Sequence, residues 1–333
     1  MARAQVQEGC DMNSFIRQRL PLLVTAGIFL LLFGAASLRY AYFCSVGNVF
    51  NLFSSNAPLG VMAVGMTLVI FAGGIDLSVG AVAGFTNIFV TALMETHGWH
   101  PVPAMLAALA LGAVLGAAMG AIIHVFKQPA FLVTLAGMFF ARGAAYWIST
   151  ASIKTTHPFF QQLTDLTAKV AGATVHPLPA GILVVVLAMG IMLAQYTRFG
   201  RNLLAIGGSE PSALLMGLPV GATKITAYAL CGGLAALAGL INTFNTGSGN
   251  SIYGIGMELD AIAVVVIGGT LLTGGRGHMF GTFCGILIIG TIQAAIAFDG
   301  SLSSSWTRII TGLLLLVFIL LQRLLLRATL KKT

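Results

Sequence analysis

Charge is what this sequence has least of. Asp, Glu, Lys and Arg make up 8% of its 333 residues, against roughly 25% in an average soluble domain. With 57% hydrophobic residues, the chain has too little polar surface to enclose a core in water. A soluble globule is therefore excluded, and lipid is the expected solvent. Catalytic signatures are missing too. No G-x-x-x-x-G-K-[ST] occurs, so the chain is not expected to bind ATP itself. There is no G-x-S-x-G elbow to present a nucleophile. The histidines His97, His100, His124, His157, His176 and His278 form no H-E-x-x-H pattern and sit near the ends of apolar runs. The four cysteines, Cys10, Cys44, Cys231 and Cys284, are far apart and form no C-x-x-C, so neither a metal site nor a disulfide framework is expected. No cofactor is implied.

What is present is a series of apolar runs near 20–38, 52–72, 77–95, 102–124, 129–149, 180–197, 225–246, 255–273, 279–298 and 306–322. They read as an all-α polytopic membrane protein of about ten transmembrane helices, many of the runs exceeding the ~18 residues of a candidate span. The net charge of +8 does not point to nucleic acid, because the basic residues sit at run ends and not in one stripe. Placing Arg3, Arg17, Arg19, Lys127, Arg198, Arg201, Lys224, Arg276, Arg323, Arg327, Lys331 and Lys332 in the cytoplasm collects 12 of the 17 basic residues. An even number of spans with both termini inside satisfies that bias. The organisation expected is a cytoplasmic segment 1–19, one transmembrane domain 20–322 and a basic cytoplasmic tail 323–333. Within the domain, 150–178 forms an outer loop and 198–224 an inner one.

The 41 glycines suit close approach of membrane helices, as in Gly112 to Gly120. Asp76, in the run Gly73 to Gly80, is costly at membrane depth and so a candidate functional group. It is equally the N-cap of the helix that follows. Its glycines and Ser78 signal a break whose freed backbone must face protein or a water-filled cavity. Glu258 and Asp260 are spaced i, i+2 and do not face each other on a helix, which favours capping and lining of a vestibule over acid–base hydrolysis. Arg142 must snorkel, pair with an acid or line an aqueous path. In the inner loop, Pro211 to Met216 reads as a short amphipathic helix capped by Ser209 or Glu210 and ended by Gly217 and Pro219. Such a helix suits docking of a soluble partner.

Four ordered blocks, Ala63 to Gly80, Gln128 to Gly143, Thr197 to Gly217 and Glu258 to Gly277, resemble the permease subunits of bacterial ABC importers for ribose, xylose, arabinose and galactofuranose. The resemblance runs from about Asn48 to Gln322. Thr155 to Phe160 and Phe298 to Thr307 are most similar to a galactofuranose permease subunit. The resemblance implies the ABC importer permease fold in the bacterial inner membrane, a second permease subunit (identical or homologous), a periplasmic sugar-binding protein and a cytoplasmic ATP-binding subunit. It places a coupling helix at Gly207, Gly208, Ser209, Glu210, Pro211, Ser212 and Gly217, with Ser209 to Ser212 departing from the Asn-Glu-Ala-Ala-like run of many relatives. Helix shifts passed on from that loop are expected to open and close a pathway around Asp76 and Asp260. Asn56, Thr67, Ser78, Thr86, Asn87, Thr134, Asn242, Asn245 and Glu258 are further candidates to line it, although such side chains also bond their own helix's carbonyls. The rival reading is a stand-alone ion-coupled transporter, with Asp76 and Asp260 as coupling acids.

Overall fold

The computed structural model describes residues 22–170, 173–301 and 305–330. The segment 1–19 with Arg3, Arg17 and Arg19 lies outside the described residues, as do Lys331 and Lys332. The chain is helical: α1 (Leu22–Arg39), α2 (Val46–Ser55), α3 (Ala57–Phe71), α4 (Val79–Glu95), α5 (Pro101–Val125), α6 (Ala130–Ile148), α7 (Pro158–Thr164), α8 (Pro177–Ile191), α9 (Arg198–Gly208), α10 (Glu210–Leu215), α11 (Val220–Thr246), α12 (Met257–Ile267), α13 (Met279–Asp299) and α14 (Ser305–Leu330). Two antiparallel ribbons sit in the loops. One pairs β1 (Ile153–Lys154) with β4 (Ser248–Gly249), the other β2 (Ala168–Val170) with β3 (Ala173–Val175).

All fifteen residues of α3 are buried, as befits a helix apolar on every side. It forms the axis around which α8, α11, α12 and α13 pack. The longest neighbour contact joins α5 and α11 through glycines. A Cβ on Gly116 would strike the Tyr228 carbonyl, and one on Gly112 would come within 2.6 Å of the Gly232 oxygen. The Gly112 to Gly120 run therefore packs helices closely.

Among the described residues, six helices are long and apolar enough to cross a membrane, and the α2–α3 pair makes a seventh if taken as one bent span. The expected span over 52–72 corresponds to the end of α2 with α3, which meet at 52°. Pro58 near the start of α3 cannot donate to the preceding turn, and Asn56 closes α2 by donating from Nδ2 to the Leu52 carbonyl at 2.9 Å. The expected span over 255–273 is corrected. Helix α12 has 11 residues and rises only about 16 Å, half of a ~30 Å hydrocarbon core. Irregular chain flanks it on both sides, because Gly254, Gly256, Gly269, Gly274 and Gly275 all hold positive φ. At the chain's end, α14 stays helical to Leu330, beyond the expected boundary at 322.

Candidate functional site

The half-helix α12 is reached by a strap, residues 247–256, that runs antiparallel along α4. The strap lies on one face of that helix, built from Gly80, Gly84, Asn87 and Thr91, a spacing of 4, 3 and 4 that keeps them on one side. Gly249 packs on Thr91 and the Asn87 carbonyl, and Gly254 packs on the Gly80 carbonyl. A Cβ on Gly84 would collide with the Tyr253 carbonyl. Asn87 stitches three elements together. Its Nδ2 donates to Thr243 Oγ1 at 2.7 Å and the Gly239 carbonyl at 3.2 Å, while its Oδ1 accepts from the Asn250 N–H at 2.6 Å.

Irregular backbone at membrane depth must have its polar groups satisfied by protein. Arg142, on α6, does this: its Nη1 donates to the Ser251 carbonyl at 2.8 Å and the Tyr253 carbonyl at 2.7 Å. Glu258 is an electrostatic neighbour of Arg142, but the arginine's hydrogen bonds go to backbone. It serves unwound backbone, an acceptor that no residue pattern announces. The strap's other side is open, with Ile252 and Ile255 each more than half exposed, as is Leu259 in the first turn of α12.

The Asp76 break is different. Asp76 is fully buried, and its Oδ1 accepts from the Ser78 N–H at 2.8 Å and Ser78 Oγ at 2.6 Å. That is an Asx turn just ahead of α4. The expected N-cap role of Asp76 is corrected, since α4 begins at Val79 and its N-cap is Ser78, with no side-chain cap bond. Its Oδ2 has no hydrogen-bond partner, and Tyr228 and Cys231 of α11 are its electrostatic neighbours. Below it lies a three-way junction of backbone. The Gly275 N–H donates to the Phe71 carbonyl at 3.1 Å. Gly207, at the end of α9, has no room for a Cβ between the Phe71 carbonyl and the Gly275 nitrogen, and one on Gly274 would sit 2.6 Å from Gly73 Cα. The Gly268 to Gly277 run thus mediates close approach of three segments.

From that junction α9 turns into α10. Ser209 is the N-cap, accepting from the Ser212 N–H at 3.4 Å, Pro211 lies in the first turn, and Gly217 at φ +75° follows the C-cap Met216. Leu214, Leu215 and Met216 are exposed. Glu210 reaches Lys224 of α11 at 2.6 Å, a link that sequence reading missed because the two are fourteen residues apart.

The remaining expected site residues scatter. Thr67 bonds the Ala63 carbonyl at 2.6 Å and Thr282 Oγ1 at 2.8 Å. Thr86 bonds the Val82 carbonyl at 2.9 Å, and Thr134 the Ala130 carbonyl at 2.9 Å. All three are fully buried and spent within the protein. Glu258 Oε1 accepts from the Gly256 N–H at 3.2 Å, so it caps, and Asp260 sits two residues on in the same first turn. Asn242 is half-buried on α11. Asn245 is exposed and lines a recess of about 390 Å³ at the opposite end of the molecule from α10, together with Asn51, Ser54, Thr164, His176 and Phe244. That recess offers hydroxyl-bonding groups beside an aromatic ring. Glu95 accepts from the Thr156 N–H at 2.7 Å and from Thr156 Oγ1, pinning the loop 150–178 to α4.

The family described as branched-chain amino acid transport system / permease component matches residues 48–319. The chain belongs to this family. It is similar to the inner membrane ABC transporter permease protein YjfF of Escherichia coli strain K12, 46% identical over 92% of this chain and 93% of that protein. It is 38% identical to the fructose import permease protein FruG of Bifidobacterium longum strain NCC 2705, over 92% of each. The ribose import permease protein RbsC of Escherichia coli strain K12 is 36% identical over 84% of this chain and 87% of its own length. No solved structure matches. The chain is thus a multi-pass membrane permease of the ABC transporter class, a transport subunit and not an enzyme. Permeases of that class work with an ATP-binding subunit and a substrate-binding protein. The matched range takes in both breaks, the strap and the α9–α10 segment.

Proposed function

We propose that this chain is one of two permease subunits of an ATP-driven monosaccharide importer of the inner membrane, with galactofuranose as its sugar and with both termini and α10 in the cytoplasm. The observation that carries the reading is its likeness, over at least 84% of its length, to proteins named as ribose and fructose import permeases. A neutral sugar also suits the polar recess beside Asn245, whose lining holds no Asp, Glu, Lys or Arg. An amino acid would bring two charges needing partners.

In this reading α10 sits in the ATP-binding subunit, and Glu210 with Ser209, Pro211 and Ser212 forms the contact. Its movement reaches the membrane by two routes. One is the backbone junction at Gly207, Phe71 and Gly275. The other is the Glu210–Lys224 pair, which pulls on α11 a turn before Tyr228. Both routes end at the Asp76 break. The strap, α12 and Asp260 form the wall that faces the pathway and the second permease. No ATP site is needed in this chain.

The test is uptake of labelled galactofuranose, ribose, xylose and galactose by cells with and without this chain. Galactofuranose uptake is expected to vanish with it. Loss of a different sugar alone would reassign the substrate, and loss of branched-chain amino acid uptake would overturn the sugar reading.

A further inference from the structure

At the α10 end a recess of about 410 Å³ opens between the turn after α5, the coupling helix and the Asp76 break. It falls within the range of about 300–1,000 Å³ for small-molecule sites, and its lining includes the Glu210–Lys224 pair and Tyr228 of the coupling route proposed above. His124, Lys127, Gln128, Glu210, Lys224 and Tyr228 line it, with Gly73 and Gly74 as its floor. Lys127 holds φ 50°, a left-handed conformation that glycine adopts without strain, at the turn where α5 ends. Tyr228 is 2% exposed, and its Oη has no hydrogen-bond partner. That oxygen lies against Gly74, where a Cβ would collide with it. Buried Asp76, whose Oδ2 is also unpaired, is the electrostatic neighbour of that hydroxyl, and an unpaired buried donor at a cavity wall leaves room for a ligand oxygen as its acceptor.

We propose that this recess binds a phosphorylated polyol from the cytoplasm, a sugar monophosphate. Lys127 and Lys224 supply point charges for the phosphate, Tyr228 Oη donates to it or to a ring oxygen, and Gln128 and Glu210 accept from sugar hydroxyls. The assignment of the recess to the cytoplasm rests on the orientation proposed above. A sugar phosphate is what phosphoryl transfer to an imported sugar produces on that side. Phosphate drawn to Lys224 competes with Glu210, so occupancy loosens α10 from α11 and reports downstream product to the coupling segment.

The test uses the purified chain in phosphatidylcholine nanodiscs, titrated with glucose 6-phosphate and ribose 5-phosphate. Glucose, ribose and inorganic phosphate are the controls, and the melting temperature is the readout. Saturable stabilisation by a sugar phosphate is expected, with at least about tenfold weaker response to the controls, equivalent to about 1.4 kcal/mol. Lys127→Met, on an exposed side chain, and Tyr228→Phe should each weaken it while melting normally without ligand. An equal response to inorganic phosphate means an adventitious ion only and overturns the proposal, as does an unchanged response in both variants or none in the native chain. Stabilisation seen only in phosphatidylglycerol discs, with no effect of soluble sugar phosphates, assigns the recess to a lipid headgroup and also overturns it. Binding is read on the chain alone, so its failure is distinguishable from failure of sugar uptake.

Discussion

The two breaks in the helical bundle handle the same problem in opposite ways. At Asp76 the chain bends inside the protein, and an acid satisfies the freed N–H and hydroxyl of Ser78. At the strap the chain unwinds beside an open face, and a base, Arg142, satisfies freed carbonyls. The acid is fully buried, whereas the strap leaves Ile252 and Ile255 more than half exposed. An intramembrane carboxylate is the conventional marker of a pathway. Here it sits in a buried joint, and the strap turns isoleucines outward while glycines and one arginine hold its carbonyls on the inner side.

The comparison breaks most easily at the strap. Gly84→Leu drives a side chain into the Tyr253 carbonyl, and overpacking of 1–3 kcal/mol or more should abolish both folded yield and uptake, read by size-exclusion profile and transport. Normal yield would show that the strap does not rest on α4. Arg142→Met leaves two carbonyls unpaired at roughly 1–3 kcal/mol each, so the melting temperature should fall clearly. Arg142→Lys, which keeps a donor, should recover part of the loss.

At the other break the expected effects are smaller. Asp76→Ala loses two hydrogen bonds to Ser78 ahead of α4, worth about 0.5–1.5 kcal/mol each. Asp76→Asn keeps an acceptor for Ser78 and should transport at near-native rate, whereas an ion-coupling acid would not survive that change. The smallest effect on stability is expected of Glu210→Gln, which keeps an acceptor for Lys224 and removes only the charge of a carboxylate whose side chain is 46% exposed. Its effect should appear instead as reduced co-purification of the ATP-binding subunit, and unchanged co-purification would remove the Glu210 charge from the contact.

Much of the fold was legible because apolar runs separated by charged ends are strong signals, and α5, α6, α11 and α13 lie close to their expected positions. Helix α10 was legible as well, since Ser209, Pro211 and Gly217 are local stop and start signals. The strap was not. Its sequence, from Gly247 to Gly256, adjoins an apolar run, and its path depends on contacts with residues more than a hundred positions away. Arg142 and Lys224 were seen as charges, yet their partners are set by tertiary approach. The polar candidates Thr67, Thr86 and Thr134 read the same whether they face a pathway or their own helix, and only their hydrogen bonds tell the two apart.

The measurement closest to the central claim, that this chain forms a pathway driven by a partner ATPase, is sugar uptake into liposomes. The chain alone, under proton or sodium gradients, is compared with the chain assembled with its second permease, ATP-binding subunit and binding protein. The account predicts uptake only in the assembled case and only with ATP. Gradient-driven uptake by the chain alone would contradict it and restore Asp76 and Asp260 as coupling acids.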